Sequence, residues 1–248
     1  QCQQRLNQMH AIDPLLEATV AARPHDWRML ATVARQYSQV QHAGYIIAGE
    51  FSRGHHRGGG RAVNSRERDR VRSLQLLERA RQIALSETTH GSERGNLCLQ
   101  LADALRNGRR NQESWRLQML TDLTELPDYE DGFYYGHHGD ARKAPVDASG
   151  NPIFHARPES YDTATTDGQR WRAVLDEAAC SGPHLRNGVV QQLADFSYEQ
   201  FGVQTMAEYG WFFHRSVADG DTRNAAFTLD TLTEDETMAK LATGIKRF

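Results

Sequence analysis

A chain of 248 residues, with 39% hydrophobic and 25% charged residues, is long enough for one or two domains with a real core. Its net charge of −3 excludes an overall electrostatic pull toward nucleic acid or anionic lipid. The longest apolar runs, such as Gly44-Tyr45-Ile46-Ile47-Ala48, fall far short of a membrane span. We therefore expect no nucleic-acid partner and no direct membrane insertion. No signal peptide is visible, and a chain that begins at Gln1 with helical ends is expected to be part of a longer polypeptide.

In chain order, the periodicity predicts mostly helix. A first helix over 13–22 follows Asp13-Pro14, with proline in the first turn and Leu15, Leu16 and Val20 apolar. Asp26 is the N-cap of a second, whose stripe is Trp27, Leu30, Ala31, Ala34 and Tyr37. A long charged helix is predicted over 65–87, with capping-box spacing at Asn64 and Glu67 and a stripe of Val71, Leu74, Leu77, Ala80 and Ala84. Helices over 92–107 and 112–123 follow, separated by Asn107-Gly108 and closed by Leu126-Pro127. Residues 127–164 lack helical period; within them, 145–155 reads as a small β-hairpin around Ser149-Gly150-Asn151. Helices resume over 166–180, 186–201 and 204–214, and a last one starts near Thr233.

The expected architecture is mostly α: irregular tetratricopeptide-like helical hairpins, α-solenoid-like, with long loop insertions. The first part, 1–126, carries a Gly/Arg-rich insertion at 49–63; 127–164 is an irregular insertion; 165–248 is the C-terminal helical part of the same continuous domain. A recurrence supports the hairpins. Gln100-Leu101-Ala102-Asp103 reappears as Gln192-Leu193-Ala194-Asp195, and Leu30-Ala31 sits similarly in its helix. Small Ala beside Leu lets antiparallel helices approach closely. The spacing departs from a regular repeat, since these pairs are 71 and 92 residues apart (101 − 30 and 193 − 101). Trp-Arg recurs at Trp27, Trp115 and Trp171, each read as a buried anchor with its arginine in solvent.

Four glycines and three arginines fall within Arg53-Gly54-His55-His56-Arg57-Gly58-Gly59-Gly60-Arg61. Exposed amides and the guanidinium forks of Arg53, Arg57 and Arg61 suit an anion. The Lys-Ser/Thr of a P-loop and the strand-turn-helix of a dinucleotide site are both missing. The competing expectation is that these arginines pair with the chain's own acids at Glu125, Asp128, Glu130 and Asp131. A second Gly-His-His string at 136–138 makes His55, His56, His137 and His138, with Asp140 and His155, candidate ligands of a transition metal. Adjacent histidines on one loop seldom ligate the same ion, and polar loop residues are the plainer account. Cys2, Cys98 and Cys180 form no C-x-x-C pair, and Cys98 reads as a buried thiol. No G-x-S-x-G, H-E-x-x-H or nucleophilic-cysteine motif occurs, and no cofactor is expected.

Several longer strings are specific. They include Gly49-Glu50-Phe51 with His56-Arg57-Gly58-Gly59-Gly60-Arg61, then Glu67-Arg68-Asp69-Arg70-Val71-Arg72, Trp115-Arg116-Leu117-Gln118 and Glu125-Leu126-Pro127-Asp128-Tyr129-Glu130. Others are Phe201-Gly202-Val203-Gln204-Thr205-Met206, Tyr209-Gly210-Trp211-Phe212-Phe213 and Leu241-Ala242-Thr243-Gly244-Ile245-Lys246-Arg247-Phe248. With these strings the chain resembles the N-terminal helical region of very large bacterial alpha-2-macroglobulin-like proteins. The resemblance implies a periplasmic, envelope or secreted location and a parent of the peptidase-inhibitor class. The Cys-Gly-Glu-Gln thioester of that class is absent here. The implied role is a non-catalytic helical module that binds a protein partner or other domains of the same chain. The alternative expectation is a metal- or anion-dependent enzyme domain built on the two Gly-His-His loops.

Overall fold

Pro14 in the first turn and leucine-type residues at four-residue intervals set the first helix, α1 (Ile12–Ala22), which buries Ile12, Leu16 and Val20. A 3-10 turn, Met9–Ala11, leads into it. The structure is a computed structural model, and it describes residues 8–87, 91–106, 113–133 and 144–201. Asp26 caps α2 (Trp27–Gln39): its Oδ1 accepts from the Met29 N–H at 3.1 Å. The long helix α3 (Arg66–Ser86) follows, then α4 (Gly91–Arg106), α5 (Asp167–Ser181) and α6 (Pro183–Phe201). Thr166 caps α5 by accepting from the Gln169 N–H at 3.1 Å.

Each helix packs mainly on its neighbours in sequence, α2 on α3, α3 on α4, α4 on α5 and α5 on α6. Their apolar stripes merge into one core. Leu30, Leu74, Leu101, Ala102, Leu105, Trp171 and Val174 are wholly buried within it. Leu101 and Ala102 are therefore core residues, as are Trp27 and Trp171. Trp115 is not: it is 38% exposed. In the second Leu-Ala pair, Leu193 only abuts the core and Ala194 faces solvent. The α6 stripe that packs is Leu185, Val189 and Phe196, so the shared four-residue string does not place the two pairs alike.

The Gly/Arg-rich segment is a loop over 54–60, but its two ends are strands. They are β2 (Glu50–Arg53) and β3 (Arg61–Asn64), which join β1 (Ala43–Ile47) and β4 (Glu130–Asp131) in an antiparallel sheet of order β2-β1-β3-β4. β1 and β2 pair Ile47 with Glu50 and Gly44 with Arg53 across the two-residue turn Ala48-Gly49. Both turn residues have positive φ, 51° and 88°, the twist that matches paired strands. β3 then runs directly into α3, so the sheet is tied to the longest helix through Ser65.

Three other expectations change. The capping box at Asn64 and Glu67 does not form. Ser65 takes the N-cap position, Asn64 Oδ1 accepts from the Arg66 N–H at 3.3 Å, and Glu67 pairs with Arg70. The helix predicted over 112–123 is only a 3-10 turn, Ser114–Gln118, after which the chain runs without helix to Asp128. Long-range hydrogen bonds win over local propensity there. Gln75 donates to the Leu123 carbonyl at 3.0 Å, Arg68 to that of Pro127 at 2.7 Å and Arg170 to that of Thr121 at 2.8 Å. The hairpin expected near 145–155 narrows to a single bridge, Val146 to Pro152, around a turn tied by the Asp147 carboxylate. Pro145 and Pro152 lack the N–H groups a longer ladder needs. The helices expected over 204–214 and near Thr233 lie outside the described residues.

Candidate functional site

Arg53 sits at the end of β2, where the strand's alternation turns its side chain inward, and only 1% of that side chain is exposed. Such a cation needs partners, and it has them from three elements. From α1, Asp13 accepts from Nη2 at 2.7 Å. From α3, Asp69 accepts from Nη1 at 2.8 Å and from Nη2 at 3.0 Å. The Gln41 carbonyl and Ser65 Oγ accept from Nη1 at 2.7 and 2.9 Å. His42 Nδ1 lies 2.7 Å from Asp69 Oδ2, the same oxygen that accepts from Arg53 Nη1. Burial alone would raise the Asp69 carboxyl. The bonds from His42, Arg53 and Ser65, with the guanidinium charge, outweigh it and hold the carboxyl below the usual carboxylate range. The same carboxylates push Arg53 upward against its own desolvation.

Around this network lies a cleft of about 780 Å³. One wall is the Phe51–Tyr129 stack, with ring centroids 4.5 Å apart, and the Arg68 guanidinium lies 4.8 Å over Tyr129. The opposite wall is a second bonded triad. Tyr37 Oη donates to Glu17 at 2.6 Å, and Arg72 Nε and Nη2 donate to the same carboxylate at 2.8 and 2.6 Å. Glu17 is thereby lowered despite its burial, and burial with the Glu17 bond raises the Tyr37 phenol. Every arginine of the cleft already holds an internal acceptor. An anion at Arg53 or Arg72 would have to displace Asp13, Asp69 or Glu17, and Arg68 donates to the Pro127 carbonyl, so the arrangement clamps α1, the sheet and α3 together.

The three arginines read as an anion cradle do not converge. Arg53 is interior, Arg57 is exposed, and Arg61 reaches Asp131 at 2.6 Å on the open face of β3 and β4. Arg61 thus meets the acidic turn as expected of a loop arginine, whereas Arg53 is committed to Asp13 and Asp69. His55 is exposed, and the His56 ring rests 5.9 Å from that of Tyr45. Among the described residues no group of three or more His, Cys, Asp or Glu side chains is placed to hold a metal ion. His137 and His138 lie outside those residues.

A second groove, of about 680 Å³, lies along α3 where the 3-10 turn and the extended segment cross it. Its wall carries Trp115, Met119 and Leu120, the last two 56% and 47% exposed. The backbone behind them is fixed. The Asp167 N–H donates to the Met119 carbonyl at 2.8 Å, and the Thr121 N–H to Asp167 Oδ1 at 2.9 Å. Arg70 donates to Thr121 Oγ1 at 2.8 Å. Asp122, Glu125 and Asp128 stand at the rim. Sequence reasoning missed this groove because it placed Trp115 inside a helical hairpin. The available signal was Leu126-Pro127 with Thr121-Asp122, residues that favour extended and turn backbone. Comparison with family models, with curated proteins and with solved structures finds no match for this chain.

Proposed function

We propose that the chain is a non-catalytic helical module, an irregular tetratricopeptide-like set of hairpins, that binds protein. The observation that carries the reading is the apolar surface of Trp115, Met119 and Leu120 beside a preformed groove. Three exposed large apolar residues along one groove, two of them on a backbone clamped by α3 and α5, are what a protein contact buries. An aromatic side chain at such a place is a frequent source of binding energy. The Arg53 cleft supports the same reading from the other side, because its charges are spent on holding the module rigid.

Through its resemblance to the N-terminal region of alpha-2-macroglobulin-like proteins, the module is assigned to a parent of the peptidase-inhibitor class in the bacterial envelope. Its partner is then another domain of that parent or a second envelope protein. The test is site-specific photocrosslinking in cells, with a photoreactive residue at position 119 and a control at Glu159. A discrete protein adduct at 119 and none at 159 is expected. Equal labelling at both positions, or none at either, would refute the reading.

A further inference from the structure

We infer that the groove takes a basic, amphipathic peptide segment of the partner, with its apolar side chains on Trp115, Met119 and Leu120 and its Lys or Arg side chains on Asp122, Glu125 and Asp128. The inference rests on the protein-binding reading above and names the chemistry of what is bound. The apolar part follows from exposure. Met119 and Leu120 project from a segment whose carbonyls are held by Asp167, Arg170, Gln75 and Arg68, so the surface exists before anything binds. A preformed surface spares the partner most of the ordering cost.

The charge part follows from bookkeeping of the groove's own ions. The groove contains one arginine, Arg116, and its guanidinium pairs with Glu113 at 3.6 Å. Glu67, on the α3 side, is likewise matched by Arg70 at 2.7 Å. Glu125 and Asp128 are exposed and have no ion pair among the described residues, while Asp122 accepts only from Thr124, at 2.8 and 2.7 Å. The rim therefore carries Glu125 and Asp128 without an ion-pair partner among the described residues, beside an apolar strip, while Asp122 lies within reach of the Arg170 charge. An acidic or uncharged segment would bury the strip but leave or worsen that negative field, and a basic one neutralises it. Seating apolar side chains in a groove while charged ones line its edge is a common mode of peptide recognition. The groove accommodates a short segment, not a folded domain.

The test uses the full chain and three fluorescein-labelled peptides of equal length. All three share an amphipathic leucine pattern, and their polar positions are filled by Lys, by Gln or by Glu. Fluorescence anisotropy is expected to show binding of the Leu/Lys peptide that weakens several-fold when salt rises from about 50 to 300 mM. Glu125→Lys with Asp128→Lys should weaken it by at least ~10-fold, as should Met119→Ser with Leu120→Ser. The reversal Glu159→Lys with Asp162→Lys, at exposed positions outside the groove lining, changes net charge equally and should cost no more than ~2-fold if the effect is local. These side chains are exposed, so unchanged circular dichroism and melting accompany each variant. Equal loss in the Glu159→Lys with Asp162→Lys variant would overturn the inference by showing general charge attraction. Tighter binding of the Leu/Gln or Leu/Glu peptide, lost in Met119→Ser with Leu120→Ser, would overturn the basic partner and leave the protein-binding reading intact. Self-association lost in that same variant would overturn it in favour of a second copy. No peptide binding with an adduct at position 119 would also overturn only the basic partner. No binding and no adduct would overturn both.

Discussion

Replacing Arg53 by Met keeps an unbranched stem of similar length and removes every donor. In the native structure that guanidinium joins α1, β2 and α3 through Asp13, Asp69 and Ser65, with 1% of its surface exposed. Breaking a buried pair by deleting one partner costs about 3–5 kcal/mol, most of it from the charge left behind. Here the abandoned charge is chiefly Asp69, whose side chain is 5% exposed, since Asp13 is partly in water at 28%. Asp69 keeps His42 at 2.7 Å and Ser65 at 2.6 Å, which places the loss near the low end, about 3 kcal/mol. That is a large share of a typical stability of about 5–15 kcal/mol. Urea denaturation followed by circular dichroism at neutral pH measures it. Asp69→Asn removes the orphaned charge, so the double variant should lose less than the two single losses summed, by about 1–3 kcal/mol. The network also fixes a pH response. Asp69 has a lowered carboxyl in the folded chain, so its contribution is full above the ordinary carboxyl pKa and is lost as pH falls through the folded value. Arg53→Met should flatten that acid limb. A loss below about 1 kcal/mol, or strictly additive variants, would refute the claim that this network holds the sheet to the helices.

His155 gives a second, separable pH response. It is 5% exposed, with no hydrogen-bond partner for Nε2 among the described residues and its ring filling the space beside Gly168, where an added Cβ would stand 2.1 Å from Nδ1. Burial, with the nearby Arg172 charge, lowers its pKa from 6.5 to about 4. The folded chain therefore prefers the neutral ring. That stability is full above pH 6.5 and is lost as pH falls toward 4, by about 3 kcal/mol in all. His155→Asn, which suits the positive φ of 56°, should remove the slope in that window; an unchanged slope would assign it to another group. Ala48→Gly should stabilise the β1–β2 turn by about 0.5 kcal/mol in the same urea assay, because relief of positive-φ strain exceeds the added freedom of the unfolded chain. Iodoacetamide at pH 8 should label exposed Cys180 rapidly. Cys98 should react only under denaturant, since burial and the Glu177 charge push its thiol up to about 12; fast labelling of Cys98 itself in the native chain, located by peptide mapping, would contradict that.

The helices were legible because their signals are local. Asp26 with Trp27, Leu30, Ala34 and Tyr37 specifies both a start and a face, and α2 follows it within a residue. The sheet was hidden because Gly44, Gly49 and the glycines of 54–60 read as breakers, and only pairing among β1, β2, β3 and β4 satisfies the strands' backbone. Arg53 illustrates the same limit at the site. A sequence shows a cation in a glycine-rich stretch, but Asp13 and Asp69 lie 40 and 16 residues from it, and nothing local announces that they meet. Trp115 reads as an anchor by residue type, yet its segment is pulled out of helix by Arg68, Gln75 and Arg170, and the ring ends at the surface.

Periodicity and caps by themselves determined a mostly helical protein, the bounds of α1, α3, α4, α5 and α6 to within a few residues, the start of α2, and the burial of Leu101, Ala102, Trp27 and Trp171. Each of those rests on contacts three or four residues apart or on one face of one helix. Tertiary structure alone decided the four-stranded sheet, the Arg53 clamp and the groove at Trp115. Each needs partners tens of residues away, and a buried charge or an unpaired strand has no stable state until those partners arrive.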